Sequence, residues 1–310
     1  MPEIILHHYP QSPVSEKVRV VLGIKRLSWR SVTIPRLPPK PDLVPLTGGY
    51  RLTPVMQIGA DIFCDSQCII RTIERHQPGP TIYPGGAAGL PWGISRWTDG
   101  AFFTATIAVV FGDQGENLPK EFAEDRGPLY FGPDYDIKAM TAALPENLAK
   151  LRVQFGWIEA RLAGGRDFML GTEPGLPDAL CYYLVWFIRG RYSKGPEFLS
   201  QFPNLLAWED RVAAIGHGSP SGMEAAEALD IAKAAQPDFE RRDDPGDPQG
   251  LKPGDRVSVI PEDTGGGGTV TGRIGGLSAE EIVIEREDGR VGQVAVHLPR
   301  LGYRVRRDSR

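Results

Sequence analysis

The run Tyr9-Pro10-Gln11-Ser12-Pro13-Val14-Ser15 carries the Cys-x-x-Cys spacing of a redox motif, with oxygen in place of both sulfurs. A cysteine there would attack disulfides itself, whereas a serine can only donate a hydrogen bond to a sulfur that another molecule brings. Upstream, Ile4-Ile5-Leu6 is apolar and β-prone; downstream, Val14, Val18, Val21 and Leu22 recur at helical spacing. The loop therefore ends at a helix N-terminus, where unpaired N–H groups and the positive end of the helix dipole favour an anion such as a thiolate. Ser12 could also simply cap the helix, a role that needs no chemistry, but the functional role is the favoured reading. Ser15, one turn on, is expected to pack or cap. Tyr9, with its phenolic O–H, is the rival donor if Ser12 points away. His7 and His8 sit at the end of a strand that sends their rings to opposite faces, so both read as structural.

The elements around this loop fall into three segments. Residues 1 to about 80 alternate strands (4–8, 29–34, 55–58, 62–64) with helices (13–25, 66–76), and a Pro-rich irregular stretch runs up to Gly49. Residues 88–236 read as an all-helical bundle. Leu148, Leu151, Phe155, Ile158 and Leu162 step along one face, and Leu180, Leu184, Phe187 and Ile188 along another. Pro237 to Gly250 reads as a linker, and 251–310 as a small all-β, SH3-like barrel of some five short strands, with a hairpin turn at Asp288-Gly289. Gly265 to Gly268 is read as a hairpin tip, because no Gly-Lys-Ser/Thr follows it. Arg304, Arg306, Arg307 and Arg310 read as a solvated tail.

Composition narrows the classes. A net charge of −4 over 310 residues gives no general drive toward nucleic acid or anionic membranes. There is no stretch of about 18 apolar residues, and Met1-Pro2-Glu3 lacks the basic start of a signal peptide, so a cytoplasmic protein is expected. Three cysteines make no disulfide framework, and Cys64 and Cys68 read as buried small apolar residues.

In this order, residues 1 to about 235 resemble the cytosolic glutathione S-transferase superfamily, in its serine-type, bacterial-like form. Four stretches carry the resemblance: the Tyr9 to Arg19 loop and helix; Thr53-Pro54-Val55-Met56, similar to the cis-proline turn of thioredoxin-like folds; Asp65-Ser66 opening a helix; and Gly175-Leu176-Pro177-Asp178, similar to the start of the family's buried sixth helix. The resemblance implies a thioredoxin-like α/β N-terminal domain, an all-α C-terminal domain and a homodimer. It implies glutathione as co-substrate, with no metal. Thr53 and Pro54 would pair with its backbone, Ser66 with the γ-glutamyl carboxylate and Asp65 with the ammonium. An N-cap role also fits Asp65-Ser66. Many members carry a polar side chain two residues before the proline; here that position is Leu52, which leaves Arg51 or Lys40 to reach the glycyl carboxylate. Asp178 reads as the third helical residue of a capping box.

Magnitudes limit what Ser12 does. Lowering a thiol pKa from about 8.5 to about 6.5 needs roughly 2.7 kcal/mol, within reach of one charge-assisted hydrogen bond and a helix N-terminus. The thiolate fraction at pH 7 rises from about 3% to about 75%, but falling nucleophilicity takes back about sevenfold, so the net gain is a few-fold. Real acceleration must come from holding an apolar electrophile beside the sulfur. The expected pocket lies among Tyr9, Pro10, Trp97, Phe102, Phe103, Ile107 and Phe111. Two functions follow: a glutathione transferase, or a non-catalytic binding or scaffold protein that uses the C-terminal barrel to recognise a partner.

Overall fold

The computed structural model describes residues 3–86, 88–262 and 266–308. Met1, Pro2, Gly265 and Arg310, invoked above, lie outside these. The chain divides into two compact units. The first gathers residues 1–15, 28–75 and 219–310, and the second 16–27 and 76–218.

The first unit is built on one ten-stranded sheet. Its elements begin with β1 (Ile5–His8), α1 (Pro13–Ile24, which passes into the second unit after Ser15), β2 (Ser28–Thr33), α2 (Val44–Thr47), β3 (Val55–Ile58), β4 (Asp61–Cys64) and α3 (Ser66–His76). The short helix α2 falls in the Pro-rich stretch that reads as irregular. Pro45 stands in its first turn, where a missing N–H costs nothing.

The second unit is helical, as its apolar periodicity requires. After α4 (Gly89–Trp97) a π-turn at Thr98–Phe102 leads into α5 (Phe103–Gln114), followed by α6 (Lys120–Phe131), α7 (Ile137–Ala142), α8 (Leu144–Leu162), α9 (Leu176–Arg191), α10 (Gly195–Leu199) and α11 (Pro203–Ile215). Leu151, Phe155, Ile158 and Leu162 of α8 are buried, as are Leu180, Leu184 and Ile188 of α9. Asp178 does what a capping box asks: Oδ2 accepts the Gly175 N–H at 2.9 Å, while Oδ1 accepts Met169 N–H at 2.8 Å and Trp208 Nε1–H at 2.7 Å. Several charges buried in this unit are paired. Glu16 accepts from Arg19 and contacts His217 Nε2 at 2.9 Å, and Lys17 Nζ meets Asp99 Oδ1 at 2.6 Å.

From Ser219 the chain rejoins the first unit with β5 (Ser219–Gly222), α12 (Ala225–Ala234), β6 (Arg256–Pro261), β7 (Val270–Leu277), β8 (Glu281–Asp288), β9 (Gly292–Pro299) and β10 (Tyr303–Arg307). The strand order is β10-β6-β7-β8-β9-β4-β3-β1-β2-β5. Strands β1 to β4 form the mixed sheet expected of the N-terminal segment. Strand β5 extends it at β2 and β9 at β4, both in parallel.

The five expected C-terminal strands are present, paired in the series β10-β6-β7-β8-β9 among the described residues. Through β9 on β4 they continue the N-terminal sheet. One buried cluster runs from Ile5, Val32 and Ile62 through Leu229 to Val257, Ile282 and Val296, so the two parts share a core. The 237–250 stretch is held to this sheet, with Asp238 N–H on Asp61 Oδ2 at 2.7 Å and Leu277 N–H on the Arg242 carbonyl at 2.9 Å. Arg304, Arg306 and Arg307, read above as a tail, belong to β10. Tyr303 and Val305 of that strand turn inward between them. Both sheet ends carry features that discourage further pairing: arginines on β10, and Pro220 in β5.

Candidate functional site

Ser12 stands at the turn between β1 and α1, its N–H donating to the Tyr9 carbonyl at 3.1 Å. Its Oγ accepts the Ser15 N–H at 3.2 Å, the geometry of an N-cap. Accepting uses only a lone pair, so the hydroxyl hydrogen stays available to donate. Ser12 is 2% exposed, and Ser15 is fully buried with a hydroxyl that has no hydrogen-bond partner among the described residues. Tyr9 is buried too, with the Arg36 guanidinium 5.9 Å from its ring centre.

A second group forms around the turn into β3. The Thr53–Pro54 peptide is cis. Lys40 is 2% exposed, and its ammonium donates to Thr53 Oγ1 at 2.9 Å. Arg51 is held from the C-terminal sheet: its N–H donates to the Gly267 carbonyl at 3.0 Å and its Nε to the Gly266 carbonyl. Close approach of backbones at this point demands glycine, since a Cβ on Gly268 would stand 2.0 Å from the Gly49 carbonyl oxygen.

Asp65 and Ser66 open α3. Asp65 is in the left-handed region, at φ 73°, an unusual place for a residue other than glycine. Its Oδ1 accepts the Gln67 N–H at 2.8 Å, and its Oδ2 accepts the Tyr303 hydroxyl at 3.0 Å. Ser66 is 5% exposed. The capping that the sequence suggests is therefore present, and Tyr303 adds a donor that the sequence reading did not assign.

The aromatic residues expected around an electrophile divide between the units, Tyr9 and Pro10 in the first, Trp97, Phe102 and Phe103 in the second. Within the second, Phe102 is fully buried between Trp97, stacked at 4.9 Å, and Phe155. Trp97 Nε1 donates to Gln154 at 2.9 Å, and Phe103 packs edge-on to Tyr130. His7 and His8 are bound structurally, His7 to Gln57 at 2.9 Å and His8 to Ser31 at 2.8 Å; burial lowers His7 to a pKa of about 4. Cys64 and Cys68 are buried, and loss of solvation pushes both thiols well up, away from thiolate chemistry.

The glutathione S-transferase N-terminal domain pattern matches residues 6–81, and the C-terminal domain pattern matches residues 141–211. A GST-like protein from Pseudomonas syringae is 35% identical over 99% of this chain and 100% of its own, with a TM-score of 0.79. The chain belongs to the glutathione S-transferase superfamily. The apo form of a glutathione S-transferase III shares the fold at 19% identity over 68% of this chain and 92% of its own, with a TM-score of 0.51. The β-etherase LigF from Sphingobium sp. strain SYK-6 does so at 16% identity over 68% and 95%, also at 0.51. No curated protein matches the chain significantly. The Pseudomonas syringae protein is alike over nearly the whole length, so its likeness extends over the C-terminal strands of this superfamily member.

What the sequence reading missed in this glutathione S-transferase fold is the C-terminal contribution. A signal was there: Tyr303-Arg304-Val305-Arg306 alternates apolar and charged residues with the period of a half-buried strand. The run of arginines masked it.

Proposed function

We propose that the protein is a glutathione transferase in which the Ser12 hydroxyl stabilises the glutathione thiolate. The observation that carries this reading is the anchoring of Ser12 Oγ by the Ser15 N–H, which leaves one hydroxyl hydrogen to donate at the N-terminus of α1. The thiol proton passes to solvent, and the thiolate attacks an electrophilic carbon. A C–S bond forms, and the leaving group departs with the electron pair of the bond it breaks. Lys40 and Arg51 supply the positive charge for the glycyl carboxylate, Ser66 meets the γ-glutamyl carboxylate and Asp65 the ammonium. Tyr9 and Pro10 are assigned to an apolar electrophile. The homodimer is carried over from the family. Among the described residues no helix is long and apolar enough to cross a membrane, and no group of three or more His, Cys, Asp or Glu is suited to a metal ion.

A second reading, a binding or scaffold protein without turnover, is favoured by one observation. Ser12 and Ser66 are nearly closed to solvent, and both Asp65 oxygens already have protein donors. In this reading the C-terminal strands, proposed from sequence as an SH3-like module, recognise the partner. Thermal unfolding with and without glutathione separates the readings. For a dissociation constant near 0.1 mM, about 10 mM ligand stabilises the fold by roughly 2.7 kcal/mol. No shift refutes the glutathione reading. A shift without conjugation of a model aryl halide favours the binding protein, and turnover that survives Ser12→Ala moves the donor to Tyr9.

A further inference from the structure

The turn between β9 and β10 lies against the start of α3. Gln67 Nε2 donates to the Leu301 carbonyl at 3.4 Å, and the buried Tyr303 hydroxyl donates to Asp65 Oδ2 at 3.0 Å. The Tyr50 and Tyr303 hydroxyls stand 3.4 Å apart. With its single hydrogen given to Asp65, the Tyr303 oxygen is left to accept from Tyr50, so the three groups form a chain ending on the carboxylate. Burial and the nearby Asp65 charge push the Tyr303 phenol well above its ordinary value, which keeps it a donor.

We propose that Tyr303 is a positioning residue for Asp65, so that the C-terminal sheet completes the γ-glutamyl end of the thiol site; this rests on the glutathione reading above. Gln67 N–H and the Ser66 hydroxyl donate to Oδ1 at 2.8 and 3.5 Å, and Tyr303 donates to Oδ2 at 3.0 Å. Donors on both oxygens fix its plane, and Asp65 is only half-buried, so its charge can face the ligand's ammonium. Asp65 is held in a left-handed conformation, which persists only where surrounding contacts over-determine it. The same sheet reaches the glycyl end independently, through the Gly266 and Gly267 carbonyls on Arg51.

The test is calorimetric titration of the full chain with glutathione and with an analogue in which hydrogen replaces the γ-glutamyl ammonium. Wild type is expected to prefer glutathione. Loss of one hydrogen bond to a charged group in Tyr303→Phe weakens glutathione by about five- to tenfold and leaves the analogue unchanged. In conjugation assays the change falls on KM for glutathione rather than on kcat. In an Asp65→Asn background, Tyr303→Phe adds nothing further. Equal weakening of both ligands, or of neither, overturns the positioning role while leaving the glutathione reading intact. Failure of wild type to bind either ligand overturns both.

Discussion

Replacing His297 tests how firmly the C-terminal strands are fastened to β4. Its ring lies between two carboxylates on different strands: Nε2 is 2.9 Å from Asp61 Oδ1 on β4, and Nδ1 is 2.7 Å from Glu281 Oε1 on β8. Phe63 stacks on the ring at 4.3 Å, Phe239 meets it edge-on, and Arg75 borders Glu281. Burial alone lowers an imidazole pKa, but here hydrogen bonds and charge from Asp61 and Glu281 outweigh it, and His297 is raised. Each charge-assisted bond is worth about 1.5–3 kcal/mol before desolvation. Truncation to alanine strands two carboxylates that are largely buried, so His297→Ala should cost about 3–5 kcal/mol. At roughly 2–4 °C per kcal/mol for a unit of this size, Tm falls by about 10 °C. The sign with pH follows from linkage. A base whose folded pKa is raised adds stability that is full below its unfolded value of about 6.5 and disappears as pH rises through the folded value. Glu281, held low by His297 and Arg75 against its burial, adds stability above the unfolded carboxylate range and loses it on acidification. Urea unfolding of wild type and His297→Gln from pH 5.5 to 8.5 should show stability falling toward high pH in wild type and a flatter profile in the variant. Parallel profiles, or a cost under about 1 kcal/mol for His297→Ala, would refute the reasoning.

Asp178→Ala should destabilise the helical unit by at least about 3 kcal/mol, because it orphans the N–H groups of Met169, Gly175 and Trp208 at once; urea unfolding followed by tryptophan fluorescence reads this directly. Ser15→Ala removes a buried hydroxyl that has no partner among the described residues and should be neutral or stabilising, whereas Ser12→Ala loses a cap worth about 1 kcal/mol and, if the proposed function holds, thiolate stabilisation as well. Paired thermal melts and thiol titrations distinguish the two variants. Gly268→Ala places a Cβ against the Gly49 carbonyl at φ +90° and should cost more than about 2 kcal/mol in thermal melts. It should also loosen the loop that holds Arg51, seen as faster amide exchange there.

Local signals were legible because neighbouring residues decide them. The Val14 to Leu22 periodicity marked α1, Asp178 three residues after Gly175 marked a capping box, and the alternating apolar runs after residue 256 marked most of the C-terminal strands. The thiol-binding candidates were legible for the same reason, since Ser12, Pro54 and Asp65 all lie where a strand or turn meets the next element. Strand partners are another matter. An apolar run announces that it needs a neighbour without naming which, and nothing local to Asp61–Cys64 says that Ala295–His297 will pair with it across more than two hundred residues. By itself, then, the sequence determined α1, α3, the helical character of the second unit, the Gly175–Asp178 cap, most strands and the serine that replaces a redox sulfur. Only the tertiary structure decided that the C-terminal strands join the N-terminal sheet and bring Tyr303 to Asp65, because that outcome depends on which buried edges and carboxylates find each other in three dimensions.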